Sequence, residues 1–267
     1  MNHRLSEEQQ RFYADHGYLT GLAPIYDTQG VKSLNDGMAA LYKLLDPGET
    51  PIEIREWHEG SRFLFDICMH PQILDYVEDI LGPNFYLWAS SFFTKDPHTP
   101  DIVSWHQDAY YWPLDPPESC TVWLAFSDSD QENGAMRVLP GSHKAGLVRH
   151  QKSDDTDSVL TLECDTGSYR EDEQVFLELK AGELSLHDDK MIHGSLGNHS
   201  DRPRVGFTIR YSRTNVKCDL NVNPFFRTYH CRGVDEYGHN PRFEAPTDFY
   251  GRIHKEYCNV ETENTTE

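Results

Sequence analysis

Apolar positions recur along this chain at two different periods, and the change between them falls near Pro83. Before it the spacing is helical. Ser6 with Gln9 three residues later makes a capping box, Phe12 and Tyr13 follow, and Gly17 supplies a stop. Val31, Leu34, Met38, Leu41 and Leu45 return at intervals of three and four, closed by Pro47-Gly48. Pro71 opens a third predicted helix, which carries Ile73, Leu74, Val77, Ile80 and Leu81 on one side and ends at Gly82-Pro83. Beyond Pro83 the pattern predicts short strands at Phe85–Phe93, Ile102–Asp108, Thr121–Ser127, Met136–Leu139, Gln174–Leu179, Glu183–His187 and Arg204–Arg213. Turn formers separate them, among them Asp96-Pro97, Asn133-Gly134, Pro140-Gly141 and Ala181-Gly182.

Two of these strands show which way they face. In Arg204–Tyr211 the odd positions Val205, Phe207, Ile209 and Tyr211 are apolar or aromatic, whereas the even positions are Arg204, Gly206, Thr208 and Arg210. In Thr121–Ser127, Val122, Leu124 and Phe126 share one face, and Thr121, Trp123, Ala125 and Ser127 share the other. Period-two alternation places such sets on opposite sides of a sheet. A sheet with one apolar face and one mixed, polar face suits a barrel that holds a ligand inside. The expected fold is mainly β, a double-stranded β-helix (jelly roll, cupin-like) with flanking α-helices. It is read as one domain over residues 1–267: a helical portion 1–83, a core 84–213 and a C-terminal extension 214–267. The polar stretch Gln151–Glu173 is expected to be a long loop or flap, Asn215–Gly238 is a second lid candidate, and Glu261–Glu267 is expected to be disordered.

Composition narrows the classes. Thirteen Phe, 14 Tyr and 5 Trp exclude a disordered or fibrous chain. Lys+Arg 24 against Asp+Glu 44 leaves a net charge of −20, the wrong sign for a nucleic-acid surface. No apolar run reaches the roughly 18–20 residues of a membrane span, and the polar start MNHRLSEEQQRFY leads us to expect a cytoplasmic protein. The expected partner is thus a small-molecule substrate, with no nucleic acid and no membrane; nothing in the pattern selects an oligomeric state. Six cysteines at irregular separations, with no CxxC, read as reduced thiols.

The candidate chemistry begins at Trp105-His106-Gln107-Asp108. On a strand, residues two apart point the same way, so His106 and Asp108 can offer an imidazole nitrogen and a carboxylate oxygen to one ion. A second histidine would complete the 2-His-1-carboxylate arrangement of non-haem iron oxygenases. Alone, HxD is a weak signal, equally compatible with a hydrogen-bonded surface histidine. Downstream, His193-Gly194-Ser195 is followed by Arg204, with Pro140-Gly141-Ser142-His143-Lys144 between the two motifs. His187 lies six residues before His193 and competes with it as the second histidine.

This combination, with the opening SEEQQRFYADHGYL and the segment WLAFSDSDQENGAMRVLPGSHK, resembles the phytanoyl-CoA dioxygenase family of iron- and 2-oxoglutarate-dependent oxygenases over nearly the whole chain. The resemblance implies that His106, Asp108 and His193 bind Fe(II), and that Arg204 pairs with the distal carboxylate of 2-oxoglutarate. Guanidinium suits that bidentate role better than ammonium. Ser195 would donate to the same carboxylate, Trp123 would line the co-substrate pocket, and Thr208 and Ser90 would add to its wall. It further implies oxidative decarboxylation of 2-oxoglutarate with O2, giving succinate and CO2 and hydroxylating a C–H bond, with ascorbate as a supporting reductant. Halogenating relatives lack the carboxylate ligand; Asp108 therefore favours hydroxylation. The resemblance gives His143 a structural role, while His150, His199, His230, His239 and His254 read as surface residues, and Asp188 or Asp189 as turn residues or an orienter of His193.

For the substrate, Tyr110, Tyr111 and Trp112 follow the HxD motif and are expected at the mouth of the site, where they suit an ammonium group by cation–π attraction or simply pack the loop. Arg62, Lys95 and Arg210 are candidate holders of an anionic group. An amine-plus-anion substrate fits, and among family activities hydroxylation of 2-aminoethylphosphonate fits best. Other small metabolites, such as an aminoglycoside or an ectoine-like compound, are the alternative. An acyl-CoA is disfavoured by the acidic composition, and a non-catalytic jelly-roll binding protein by the intact set of motifs.

Overall fold

The computed structural model describes residues 3–153, 155–167, 169 and 171–253. The expected disordered tail, His254 and Cys258 lie outside these residues. The helical portion contains α1 (Glu7–His16), the short strand β1 (Tyr18–Leu19), α2 (Thr28–Tyr42), α3 (Arg62–Cys68) and α4 (Pro71–Leu81). The predicted capping box is present at α1: the Ser6 hydroxyl accepts from Gln9 N, Gln9 returns the bond to Ser6 N, and Gly17 ends the helix in the left-handed region at φ 78°. His143 packs there, its imidazole 3.2 Å from the Ala14 carbonyl.

The strands that follow are β2 (Phe85–Lys95), β3 (Val103–His106), β4 (Leu114–Asp115), β5 (Ser119–Ala125), β6 (Met136–Val138), β7 (His150–Lys152), β8 (Leu162–Cys164), β9 (Val175–Phe176), β10 (Leu184–Asp188), β11 (His193–Ser195), β12 (Arg204–Arg213), β13 (Lys217–Cys218) and β14 (Tyr229–Arg232). They form a six-stranded antiparallel sheet in the order β1-β10-β5-β12-β2-β14 and a four-stranded one in the order β3-β11-β6-β9. This is the expected mainly-β architecture. The polar stretch after His150 is more ordered than a loop, because β7 and β8 pair into a hairpin whose Ser153 and Ser158 hydroxyls meet Ser104 of β3.

The large sheet has two uses. Its outer face, including Val122, Leu124, Phe207, Ile209 and Tyr211, packs against Leu34, Leu41, Leu64, Ile73 and Val77 of the helices to make the main core. Its inner face turns to the small sheet. At one end that space is filled by Trp123, Ala125, Met136, Val138, Leu177 and Leu179; at the other it opens into a cavity lined by His106, Asp108, His187, His193, Arg204 and Arg210 among others. The five described cysteines are free thiols. Among the described residues no helix is long and apolar enough to cross a membrane.

Gly206 is the tightest point of the inner face. A Cβ there would stand 1.9 Å from Cζ2 of Trp123, so the indole lies flat on the strand only because the side chain is missing. Gly206→Ala is expected to push Trp123 from its place at an overpacking cost of about 1–3 kcal/mol. A thermal melt should show a fall of several degrees, and an unchanged melting temperature would contradict this packing.

Candidate active site

The sheet pairing brings the two histidines together. His106 closes β3, His193 opens β11, and they are partners across the antiparallel pair with ring centroids 4.1 Å apart. The glycine after His193 is required by close approach: a Cβ on Gly194 would lie 2.5 Å from the Val103 carbonyl oxygen. The strand ends two residues before its expected limit, and Asp108 begins a 3-10 turn. Gln107 is nevertheless extended (φ −116°, ψ 127°), so the alternation runs one residue past the strand and returns Asp108 to the face of His106. Asp108 Oδ1 lies 3.5 Å from His106 Nε2 and 3.9 Å from His193 Nε2. One donor atom from each of the three buried residues falls within 4.8 Å of the others.

The main chain sets the tautomers. His106 Nδ1–H donates to the Ser104 carbonyl and His193 Nδ1–H to that of Met191, each at 2.9 Å. A carbonyl only accepts, so in the neutral ring the proton sits on Nδ1 and the Nε2 lone pair is the one turned to the cavity. The orienter of His193 is thus a backbone carbonyl; Asp189 instead accepts from Ser119 N and Lys190, and Asp188 from Lys190. Gln107, facing away, has its amide saturated: it donates to the Gly146 and Lys190 carbonyls and accepts from Val148 N, at 2.7–2.8 Å. Its own N–H donates to His150 Nε2, and Tyr110 stacks on that imidazole at 3.8 Å. His150 is therefore buried, not a surface residue as expected.

Charge states suit a cation. Burial works to raise the Asp108 pKa, but His106, His187, Arg210 and His193 overcome it and hold the carboxyl well below its ordinary range. Burial, then His106, keep His193 neutral by lowering its pKa well below the usual value. Two imidazole nitrogens and one carboxylate oxygen are the donor set that Fe(II) takes in a facial triad.

At the far side of the cavity sits Arg204, 3% exposed. Its Nη1 donates to the Gly134 carbonyl at 3.0 Å, and its Nε and the Ser195 hydroxyl are buried without a partner. Trp123 lies alongside, 5.5 Å from the guanidinium carbon. Burial pulls the Arg204 pKa down to about 10, so it remains a cation with unmet hydrogen-bond capacity. A terminal carboxylate of 2-oxoglutarate would satisfy these orphaned donors.

The remaining predicted residues divide. Thr208 lines the cavity, its hydroxyl donating to the Ser91 carbonyl at 3.1 Å. Arg210 lines it too, donating to Ser91 Oγ at 3.1 Å, with Nε 3.9 Å from Asp108 Oδ2 and its guanidinium 5.1 Å over Trp112. Tyr110, Tyr111 and Trp112 border a second, broader cleft that also takes in Glu56, Asp115, Lys152 and Phe225. Three expectations need correction. Ser90 pairs with Ile209, on the core face, and bonds His58 at 2.8 Å; its neighbour Ser91 is the residue on the cavity side. Arg62 sits on α3, half exposed, bound to Asp66, and lines neither space. Lys95 is buried beside Arg204, six residues along β12 from the Arg210 that lies over Trp112, and lines neither space. Sequence reasoning missed Thr121, whose hydroxyl lies 3.5 Å from Asp108 Oδ2, although the alternation of its strand already placed it with Trp123. His187 lines the cavity 3.8 Å from Asp108 Oδ2, outside the three-residue donor cluster.

Comparison with known proteins agrees with this geometry. The sequence profile of the phytanoyl-CoA dioxygenase (PhyH) family matches residues 21–206. The chain is 26% identical over 238 residues to the peroxisomal phytanoyl-CoA dioxygenase of Bos taurus, covering 80% of this chain and 70% of that one. It is 27% identical over 228 residues to a probable alpha-ketoglutarate-dependent hypophosphite dioxygenase of Stutzerimonas stutzeri, covering 78% and 79%. The fold is similar to the non-heme monooxygenase ThoJ (TM-score 0.77, 24% identity, 91% and 90% covered) and to CytC3 with Fe(II) and alpha-ketoglutarate (0.70, 24%, 96% and 98%). The profile spans well over half of the chain, so the protein belongs to the phytanoyl-CoA dioxygenase family and is an Fe(II)- and 2-oxoglutarate-dependent oxygenase.

Proposed function

We propose that this oxygenase hydroxylates a C–H bond of a small polar metabolite, with His106, Asp108 and His193 holding Fe(II) and Arg204 and Ser195 holding the distal carboxylate of 2-oxoglutarate. The observation that carries the reading is the meeting, in one cavity, of a three-residue donor cluster with buried, unsatisfied donors of the kind a carboxylate needs. When bound, Fe(II) and 2-oxoglutarate supply the oxidising chemistry with O2, the co-substrate leaving as succinate and CO2. The protein orients and excludes. The two backbone carbonyls fix the imidazoles, Gln107 pins the loops behind the ligands, and Trp123 on Gly206 closes the cavity floor.

The specific substrate we propose is 2-aminoethylphosphonate, converted to 2-amino-1-hydroxyethylphosphonate. Arg210 supports it, a buried guanidinium beside the metal carboxylate and in place for an anionic group. Glu56, Asp115 and the aromatic trio in the adjoining cleft suit an ammonium group. The relative named for hypophosphite acts, by that name, on another phosphorus oxyanion. The size of the cleft favours a second reading, a larger ring-bearing metabolite such as an aminoglycoside, lying across Tyr110, Tyr111, Trp112 and Phe225. For a coenzyme A thioester the cleft is short of cations, since its described lining has one lysine, Lys152, against Glu56 and Asp115.

Succinate release should be measured with Fe(II), ascorbate and 2-oxoglutarate over a panel of candidate substrates. 2-Aminoethylphosphonate is expected to stimulate it strongly and to yield the hydroxylated product. Stimulation by an aminoglycoside alone would select the second reading instead. His106→Ala should bring Fe(II)-dependent succinate formation down to background, and activity that survives the change would contradict the metal assignment.

A further inference from the structure

Lys95 belongs neither to the metal cluster nor to the substrate cleft, yet its position is unusual. It is the last residue of β2, 4% exposed, and its partner across the β2–β12 pair is Arg204. Phe93, two residues earlier, lines the cavity, so Lys95 shares the inward face. Its ammonium donates to the Asp101 carbonyl. Its stem runs against Gly134, where a Cβ would stand 2.9 Å from Lys95 Cδ, and the Gly134 carbonyl is the one that accepts from Arg204. Two buried cations therefore lie side by side around one glycine. Among the described residues neither makes an ion pair.

Such a pair is stable only at a cost, because like charges repel strongly where water is excluded. An anion between or beside them removes that cost. We infer that Lys95 is the second positive charge of the co-substrate pocket, a positioning residue that strengthens binding of the terminal carboxylate of 2-oxoglutarate and selects a dicarboxylate over a monocarboxylate 2-oxo acid. This rests on the reading of Arg204 as the carboxylate partner.

A pH dependence follows from the same geometry. The groups facing Lys95 are Arg204 on β12, Arg137 on β6 and Asp101 in the segment before β3. Burial, then Arg204, pull its pKa down to about 7, with Asp101 opposing. A bound carboxylate favours the charged ammonium and raises that value again. Affinity should thus be level below about pH 7 and fall as the pH rises above it, with a proton taken up on binding.

The test is calorimetric binding of 2-oxoglutarate and of 2-oxopentanoate, which lacks the terminal carboxylate, to Mn(II)-loaded protein at pH 6.5 and 8.5. For wild type, 2-oxoglutarate should bind several-fold more weakly at pH 8.5. Lys95→Met should weaken 2-oxoglutarate about tenfold at pH 6.5, the size of one charge-assisted contact, and remove the pH dependence that wild type shows. It should leave 2-oxopentanoate within about twofold of wild type, since that ligand has no group for the charge to act on. Lys95→Arg, charged at both pH values, should keep the dicarboxylate preference and flatten the profile. Equal weakening of both ligands by Lys95→Met would overturn the inference and leave Lys95 as a clamp on the Asp101 segment. So would a preference for 2-oxoglutarate that Lys95→Met does not change. Arg204→Met separates the two claims: if it spares the dicarboxylate preference, the co-substrate reading itself fails, whereas if it abolishes the preference and Lys95→Met does not reduce it, only the role of Lys95 fails.

Discussion

The register of β12 is the constraint on which the molecule depends. This one strand carries Val205, Phe207, Ile209 and Tyr211 into the helix-packed core, and Arg204, Gly206, Thr208 and Arg210 into the space between the sheets. A slip of one residue would exchange the two sets and leave neither a core nor a site. Each buried apolar side chain contributes roughly 1.5–3 kcal/mol, enough in sum to hold two guanidinium groups where water does not reach them. Stability on one face thus maintains chemistry on the other. Pairing with β2 and β5 on either side fixes the strand in the middle of the sheet, the least yielding place in it.

Much of the site's order comes from backbone groups. Carbonyls two residues before His106 and His193 set both rings, so the metal-facing nitrogens are prepared without any acidic orienter. Asp108 is then the one carboxylate in the donor cluster. Around this the protein concentrates positive charge: a chain with a net charge of −20 buries Arg204, Lys95 and Arg210 along the inner face of its large sheet.

The alternation of β12 and β5 made the inner face readable from sequence, because apolar and polar residues there occupy separate parities. The triad was readable for a similar reason, through HxD and HGS and the family they resemble. Ser90 was misplaced because β2 is hydrophobic on both faces from Phe85 to Phe93 and shifts register opposite Arg210 and Tyr211, so its pattern carries little information about facing. His150 looked exposed because its neighbours are polar, while the contacts that bury it come from Gln107 and Tyr110, some forty positions away. Arg62 was assigned by charge alone, without the short helix capped by Ser61 that turns it toward solvent. Local periodicity reports the face of an element; it does not report which distant segment covers it.

We propose that the carboxylate of Asp108 and the imidazoles of His106 and His193 hold the metal while Arg204 and Ser195 hold the co-substrate. A crystal structure of the protein grown without oxygen in Fe(II) and 2-oxoglutarate tests it most directly. One iron is expected, bound to Nε2 of both histidines and to an oxygen of Asp108, with the terminal carboxylate of 2-oxoglutarate on Arg204 and Ser195. Iron on His187 in place of His193, or 2-oxoglutarate bound away from Arg204, would contradict it.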